Sequence, residues 1–137
     1  MAAPTGSAAV IHRLHLKRGM DGLGYHFVIG NGTITPDGQV EVGYRWKNQT
    51  HGAHARVRAG DDNRWNEYGI GICLVGDFRY AQPSPRQMEN LVRLVRALRA
   101  TYGVRVSNIV PHAKVKPTIC PGPKFPWDEF IRQVSAD

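Results

Sequence analysis

The chain has 137 residues, with 18 Lys and Arg against 11 Asp and Glu, and a formal charge of +7 with its histidines neutral. That length suits one domain whose core needs neither disulfide nor metal to hold it together. The charge favours anionic partners without choosing among nucleic acid, an acidic membrane surface and an anionic wall polymer. No apolar run approaches the roughly 18 residues of a membrane span, and the opening "MAAPTGSAAV" has neither the charged start nor the apolar stretch of an export signal.

Between Ser7 and Arg18, the residues Val10, Ile11, Leu14 and His15 recur at helical spacing, with Thr5 or Ser7 as N-cap and Gly19 placed to end the helix. In "GYHFVIGNG", Tyr25, Phe27 and Ile29 alternate with His26 and Val28, so His26 is expected to face away from Tyr25. A turn-rich "NGTITPDGQ" and a second alternating run, "VEVGYRW", complete a predicted hairpin. After a loop rich in Gly, His and charge, "YGIGICLVGDF" has the continuous apolar pattern of a strand covered on both faces.

The clearest element is "SPRQMENLVRLVRALRATYG". Ser84 and Gln87 make a capping box, Pro85 suits the first helical position, Gly103 stops the helix, and Met88, Leu91, Val92, Val95, Leu98 and Tyr102 form one stripe. The opposite face carries Arg86, Arg93 and Arg96, with Glu89 four residues before Arg93. No aromatics interleave with these arginines as base stacking would need, so the face reads as solvated and no nucleic-acid partner is expected. "NIVPH" reads as a short strand ending at His112, and "PWDEFIRQV" as a closing helix. Strands alternating with helices predict a single α/β domain over residues 1–137, built on a mixed central β-sheet flanked by helices, with ligand groups at strand ends.

Of the two cysteines, Cys73 lies inside the apolar run and reads as a small core hydrophobe, whereas Cys120 has no apolar run around it. A disulfide between them is the plain alternative, but two cysteines do not make a disulfide framework in a domain of this size. In "HAKVKPTICPGPKF", His112 and Cys120 flank a loop stiffened by Pro117, Pro121 and Pro123. They are two donors of the kind zinc takes, where a catalytic zinc takes three and leaves a fourth position for water. By itself this spacing is a weak signal, since it matches none of the short zinc signatures.

The blocks "MDGLGYHFVIGNG", "GAHA", "NEYGIGICLVGDF" and "HAKVKPTICPGPKF", in this order and at these separations, resemble the zinc-dependent N-acetylmuramoyl-L-alanine amidases of type 2, a family that includes amidase-type phage lysozymes and the peptidoglycan recognition proteins. The resemblance runs from about Pro4 onward. It implies a peptidoglycan amidase fold, Zn2+ as cofactor, peptidoglycan or a muropeptide as partner, and hydrolysis of the amide between N-acetylmuramic acid and L-alanine in the cell wall. A muropeptide-binding module without catalysis is the alternative.

Position by position, the resemblance implies His112 and Cys120 as zinc ligands. It implies Tyr25 and Thr118 as hydrogen-bond donors to water or to the developing oxyanion, and His54 and Asn66 in the cleft blocks as substrate contacts. Read without it, Tyr25 is a packed aromatic, Thr118 a loop brace and His54 a solvated loop residue. His12 and His15, three apart on the first helix, can share a face, but His15 falls on a family position that is not a ligand. Two departures stand out. The family's first ligand histidine belongs to a block that would precede "PTGSAAV", where this chain reads "MAA", and its Gly-Arg pair after the hairpin is Gly43-Tyr44 here, with Arg45 displaced by one. With two ligands, zinc is expected to bind weakly and hydrolysis to be slow or absent while muropeptide binding survives. The domain is expected to be a monomer without a membrane span.

Overall fold

Successive residues of a strand point to opposite faces, and that alternation decides the layers of this molecule. The computed structural model describes residues 4–55 and 63–136. Part of the Gly-, His- and charge-rich loop expected before the "YGIGICLVGDF" strand lies outside the described residues. Among them, β1 (Phe27–Ile29), β2 (Val40–Val42) and β3 (Ile72–Leu74) form a three-stranded mixed sheet in the order β2-β1-β3. β1 runs antiparallel to β2 and parallel to β3, in a register that pairs Val28 with Cys73 and Ile29 with Leu74.

Each pair of rows faces its own helical layer. Val28, Cys73 and Val75 pack with Ile11 of helix α1 (Ala8–Lys17) and with Leu23. Ile29 and Leu74, on the other face, pack with Leu91 and Val95 of α4 (Pro85–Tyr102) and with Phe130 and Val134 of α6 (Trp127–Ser135). The expected mixed sheet flanked by helices is therefore present, and Cys73 is buried in the α1-side core and forms no disulfide.

The predicted caps are in place. Ser7 Oγ accepts the Val10 N–H at 3.2 Å, and Ser84 and Gln87 close the capping box of α4. Gly103 ends α4 at φ +67°, a left-handed conformation that a β-carbon would disfavour. Gln87 also does more than cap. It is 1% exposed, and its Nε2 donates to the carbonyls of Val75 at 2.8 Å and Ile29 at 3.3 Å, tying the first turn of α4 to the ends of two parallel strands. Glu89 and Arg93 pair at 2.9 Å on the exposed face. Tyr102, placed on the apolar stripe by its spacing, is 57% exposed and makes a T-shaped contact with the Trp46 ring, centroids 5.8 Å apart.

Three local expectations are corrected. The second hairpin run stops at Val42. Gly43 N donates to His26 O at 2.8 Å as the last rung, and the chain then turns helical as α2 (Tyr44–Lys47), with the Trp46 and Lys47 amides folding back onto Gly43 O. "NIVPH" is no strand: a 3-10 turn (Val106–Asn108) leads to a helical turn, α5 (His112–Val115), with Pro111 as its N-cap. Proline has no N–H to give a sheet, and it fits well just ahead of a helix. Finally, β1 begins at Phe27, so the alternation does not reach back to Tyr25, which belongs to the α1-side core together with Val28. A short helix, α3 (Arg64–Glu67), precedes β3. Among the described residues no helix is long and apolar enough to cross a membrane.

Candidate active site

The 112–125 segment brings its two donors together through its backbone. Ala113 N donates to Cys120 O at 2.9 Å, so the loop between them closes on itself and presents His112 and Cys120 from adjoining positions. Thr118 Oγ1 accepts the Cys120 N–H at 3.2 Å and so holds the cysteine's backbone. His112 and Cys120, with Tyr25 and His54, line a cavity of about 540 Å³. Thr118 and Asn66 are not among its lining residues.

Tyr25 sits among three imidazoles, its ring centroid 6.0 Å from His15, 6.4 Å from His54 and 6.0 Å from His112. Burial pushes its phenol pKa well above the ordinary value, so it stays a protonated donor. The segment carrying it is pinned from both sides by other histidines. His12 Nδ1 accepts the Leu23 N–H at 3.0 Å, His15 Nδ1 accepts the Gly24 N–H at 2.9 Å, and His26 Nδ1 accepts the Gly71 N–H at 3.1 Å. His26 Nε2 lies 3.1 Å from the Thr50 carbonyl, to which it donates. Arg45 binds the carbonyls of Leu23 at 2.7 Å and His51 at 2.6 Å, so the arginine displaced by one position fastens the loops on either side.

His54 is packed rather than solvated. Its ring stacks on Tyr25 and meets His26 edge-on at 5.8 Å. Two glycines make its slot, for a β-carbon on Gly52 or Gly71 would lie 2.4 or 2.5 Å from His54 Cδ2. Its Nε2 is buried without a hydrogen-bond partner among the described residues, and burial, then the neighbouring His26, pushes its pKa down to about 4. Asn66, on α3, is 7% exposed. Its Oδ1 accepts the N–H groups of both His54 and Ala55 at 2.9 Å, and its Nδ2 donates to Ala55 O and to Asn63 Oδ1. Its amide is committed to the protein.

Fit to a zinc ion is decided by the donors. His112 Nε2 lies 2.5 Å from the carbonyl oxygen of His54. A carbonyl only accepts, so Nε2 carries the proton and Nδ1 keeps the lone pair. A ring N–H held by a backbone carbonyl is the usual arrangement behind a metal-ligating histidine. Burial lowers the His112 pKa, which favours the neutral form a ligand needs. Cys120, half-buried and in no disulfide, offers a sulfur donor. These two residues fit zinc in kind, as two of its ligands. Among the described residues no group of three or more His, Cys, Asp or Glu side chains is placed to hold a metal.

Arg64, Trp65 and Tyr68 also line the cavity, from α3 and its end; Tyr68 falls in the "NEYGIGICLVGDF" block, whereas Arg64 and Trp65 precede it. Tyr68 is 84% exposed. The available signal was "RWNEY", two aromatics three apart in a stretch with no apolar periodicity to bury them.

Residues 2–123 match the family described as N-acetylmuramoyl-L-alanine amidase. The chain is 32% identical over 116 residues to an endolysin of Enterobacteria phage K11, covering 81% of this chain and 66% of that one. It is 36% identical over 80 residues to peptidoglycan-recognition protein 2 of Holotrichia diomphalia, covering 58% and 35%. Its fold superposes on the N-acetylmuramoyl-L-alanine amidase LysC from Clostridium intestinale with a TM-score of 0.82 at 30% identity, over 100% of this chain and 81% of that one. The fold is also similar to human PGRP-IBETAC, solved in complex with glycosamyl muramyl pentapeptide, at a TM-score of 0.70 and 20% identity over 91% and 74%. The chain spans between about a third and two thirds of the length of these curated relatives.

Proposed function

Since the chain belongs to the N-acetylmuramoyl-L-alanine amidase family, we propose that its cavity takes the muramyl end of a peptidoglycan stem peptide and that it hydrolyses the amide between N-acetylmuramic acid and L-alanine with the help of zinc. The observation that carries this is the 2.5 Å contact between His112 Nε2 and the His54 carbonyl, which favours a neutral imidazole with Nδ1 left open, on the same closed loop as Cys120 and beside Tyr25. His112 and Cys120 would hold the ion. When bound, zinc supplies an acidified water and polarises the amide carbonyl.

The rest is done by the chain. Tyr25, kept protonated by burial, donates a hydrogen bond to the carbonyl oxygen as negative charge develops there. Thr118 acts from behind, holding the Cys120 backbone, and its hydroxyl proton is free to serve a second acceptor. The aromatic rings of Trp65 and Tyr68 offer stacking surface to the sugar and the peptide across the cavity, and His54 forms part of the wall beside Tyr25.

The test is release of stem peptide from purified peptidoglycan, with zinc added and with zinc chelated. Zinc-dependent release that is lost in His112→Ala supports the proposal, and release that ignores both zinc and His112 overturns it. A second reading, muropeptide binding without hydrolysis, is favoured because among the described residues no third His, Cys, Asp or Glu is placed to complete a metal site. Calorimetry with a muramyl tripeptide separates the two: heat of binding with no release at saturating zinc selects the second reading.

A further inference from the structure

We propose that Asn66 is a positioning residue for His112: by clamping the backbone at residues 54 and 55 it sets the His54 carbonyl, and that carbonyl makes Nδ1 the working nitrogen of His112. This rests on the reading of His112 as a functional side chain.

The chain of contacts is short and buried. Asn66 Oδ1 takes the N–H groups of His54 and Ala55, both at 2.9 Å, and Asn66 Nδ2 returns a bond to Ala55 O at 3.0 Å. The Asn66 carbonyl accepts the Gly52 N–H at 2.8 Å, so α3 grips the 52–55 segment at both ends. Ala53 N donates to Gly24 O at 2.9 Å, joining that segment to the one that carries Tyr25. The His54 ring is seated between Gly52 and Gly71, which leaves the hydrogen bonds of Asn66 to fix the angle of the 54–55 peptide. What the segment then offers to His112 is one carbonyl oxygen, 2.5 Å from Nε2.

The side chain has to be an asparagine. Two N–H donors face its oxygen while a carbonyl and Asn63 Oδ1 face its nitrogen, so the amide is needed in one orientation. An aspartate would set a second acceptor against those two oxygens. Without the clamp, the 54–55 peptide is free to turn, the carbonyl leaves Nε2, and His112 is released to either neutral tautomer. A histidine protonated at Nδ1 offers no lone pair there, so a change two bonds removed from the cavity alters what the cavity can bind.

The experiment reads the tautomer directly, from the imidazole 15N shifts of His112 in the metal-free, 15N-labelled chain at pH 8. The parent is expected to show the Nε2–H form alone, and Asn66→Ala a mixture of both forms. His15, whose Nδ1 accepts the Gly24 N–H, reports on folding: it keeps the Nε2–H form in any folded variant. Should Asn66→Ala fail that control, Asn66→Asp is read instead, with the same mixture expected. Zinc binding by calorimetry should weaken about 10- to 100-fold in the same variant. A parent His112 in the Nδ1–H form, or an unchanged His112 in a variant whose His15 is also unchanged, overturns the proposal. If the parent binds no zinc and the tautomer still follows Asn66, the positioning role stands and the assignment of His112 as a zinc ligand fails.

Discussion

Acidification should loosen this fold through His54, by an amount that can be worked out. The ring is buried between Tyr25 and His26, and its pKa lies at about 4 instead of the usual 6.5. The folded state therefore prefers the neutral ring, and the unfolded chain binds the extra proton first. The stability this confers is complete above about pH 6.5 and drains away as the pH falls from there towards 4. For one such group, linkage gives a loss of about 2 kcal/mol between pH 7.5 and 5.0, tending to about 3 kcal/mol at pH 4 and below. His15, His26 and His112 have lowered pKa values as well, also through burial, and act in the same direction. Urea denaturation at pH 7.5 and 5.0 on the parent and on His54→Leu isolates the one ring, because the other histidines are common to both. The parent should lose about 2 kcal/mol more than the variant. Equal losses in the two proteins would refute the burial of a neutral imidazole at this position.

Other outcomes follow from the same contacts. Cys120→Ser should sharply weaken zinc retention, measured by calorimetry, while Cys73→Ser should leave it unchanged and lower thermal stability instead, since Cys73 is packed in the core. Tyr25→Phe should slow stem-peptide release about 10²- to 10³-fold at saturating zinc with the melting temperature nearly unchanged, as expected when one oxyanion donor is removed. Gln87→Ala should cost on the order of 1–3 kcal/mol in urea denaturation, because the Val75 carbonyl and the Ser84 N–H lose a buried partner. Arg93→Ala, on the exposed Glu89 pair, should change stability by less than about 0.5 kcal/mol.

What could be read from the sequence was whatever is periodic or local. The 84–103 helix, its capping box and its terminal glycine depend on neighbours within a few residues, and all are present. The layers were legible for the same reason: the apolar run around Cys73 and the alternation at residues 27–29 need only a period of two. Elements whose ends are set by distant partners were misread. Nothing in "VEVGYRW" announces that the ladder closes when Gly43 N reaches His26 O, and nothing in "NIVPH" shows that the segment lacks a strand to pair with. Of the side chains that line the candidate site, Tyr25, His54, His112 and Cys120 were legible through a resemblance in ordered blocks, and Arg64 and Trp65 were not. The supports of the site were not either, since Asn66 acts on residues 11 and 12 positions earlier and the slot for His54 is made by two glycines on different segments.

The histidines show why composition alone could not sort ligands from scaffold. At His12, His15 and His26 the chain uses Nδ1 to accept a backbone N–H, from Leu23, Gly24 and Gly71. An imidazole spent in that way has given its lone pair to the fold and has none left for a metal or a proton in transit. His112 differs in that lone pair: its N–H goes to a carbonyl, as that of His26 does, but among the described residues no backbone amide takes its Nδ1. The difference does not lie in the residue type or its spacing, for His12 and His15 have helical spacing that would suit a metal pair. It lies in whether the fold brings a backbone amide up to the ring's lone pair, as it does at His12, His15 and His26. Added zinc should therefore shift the ring signals of His112 in an NMR titration and leave those of His12, His15 and His26 in place, and zinc-induced shifts at these three with none at His112 would reverse the assignment.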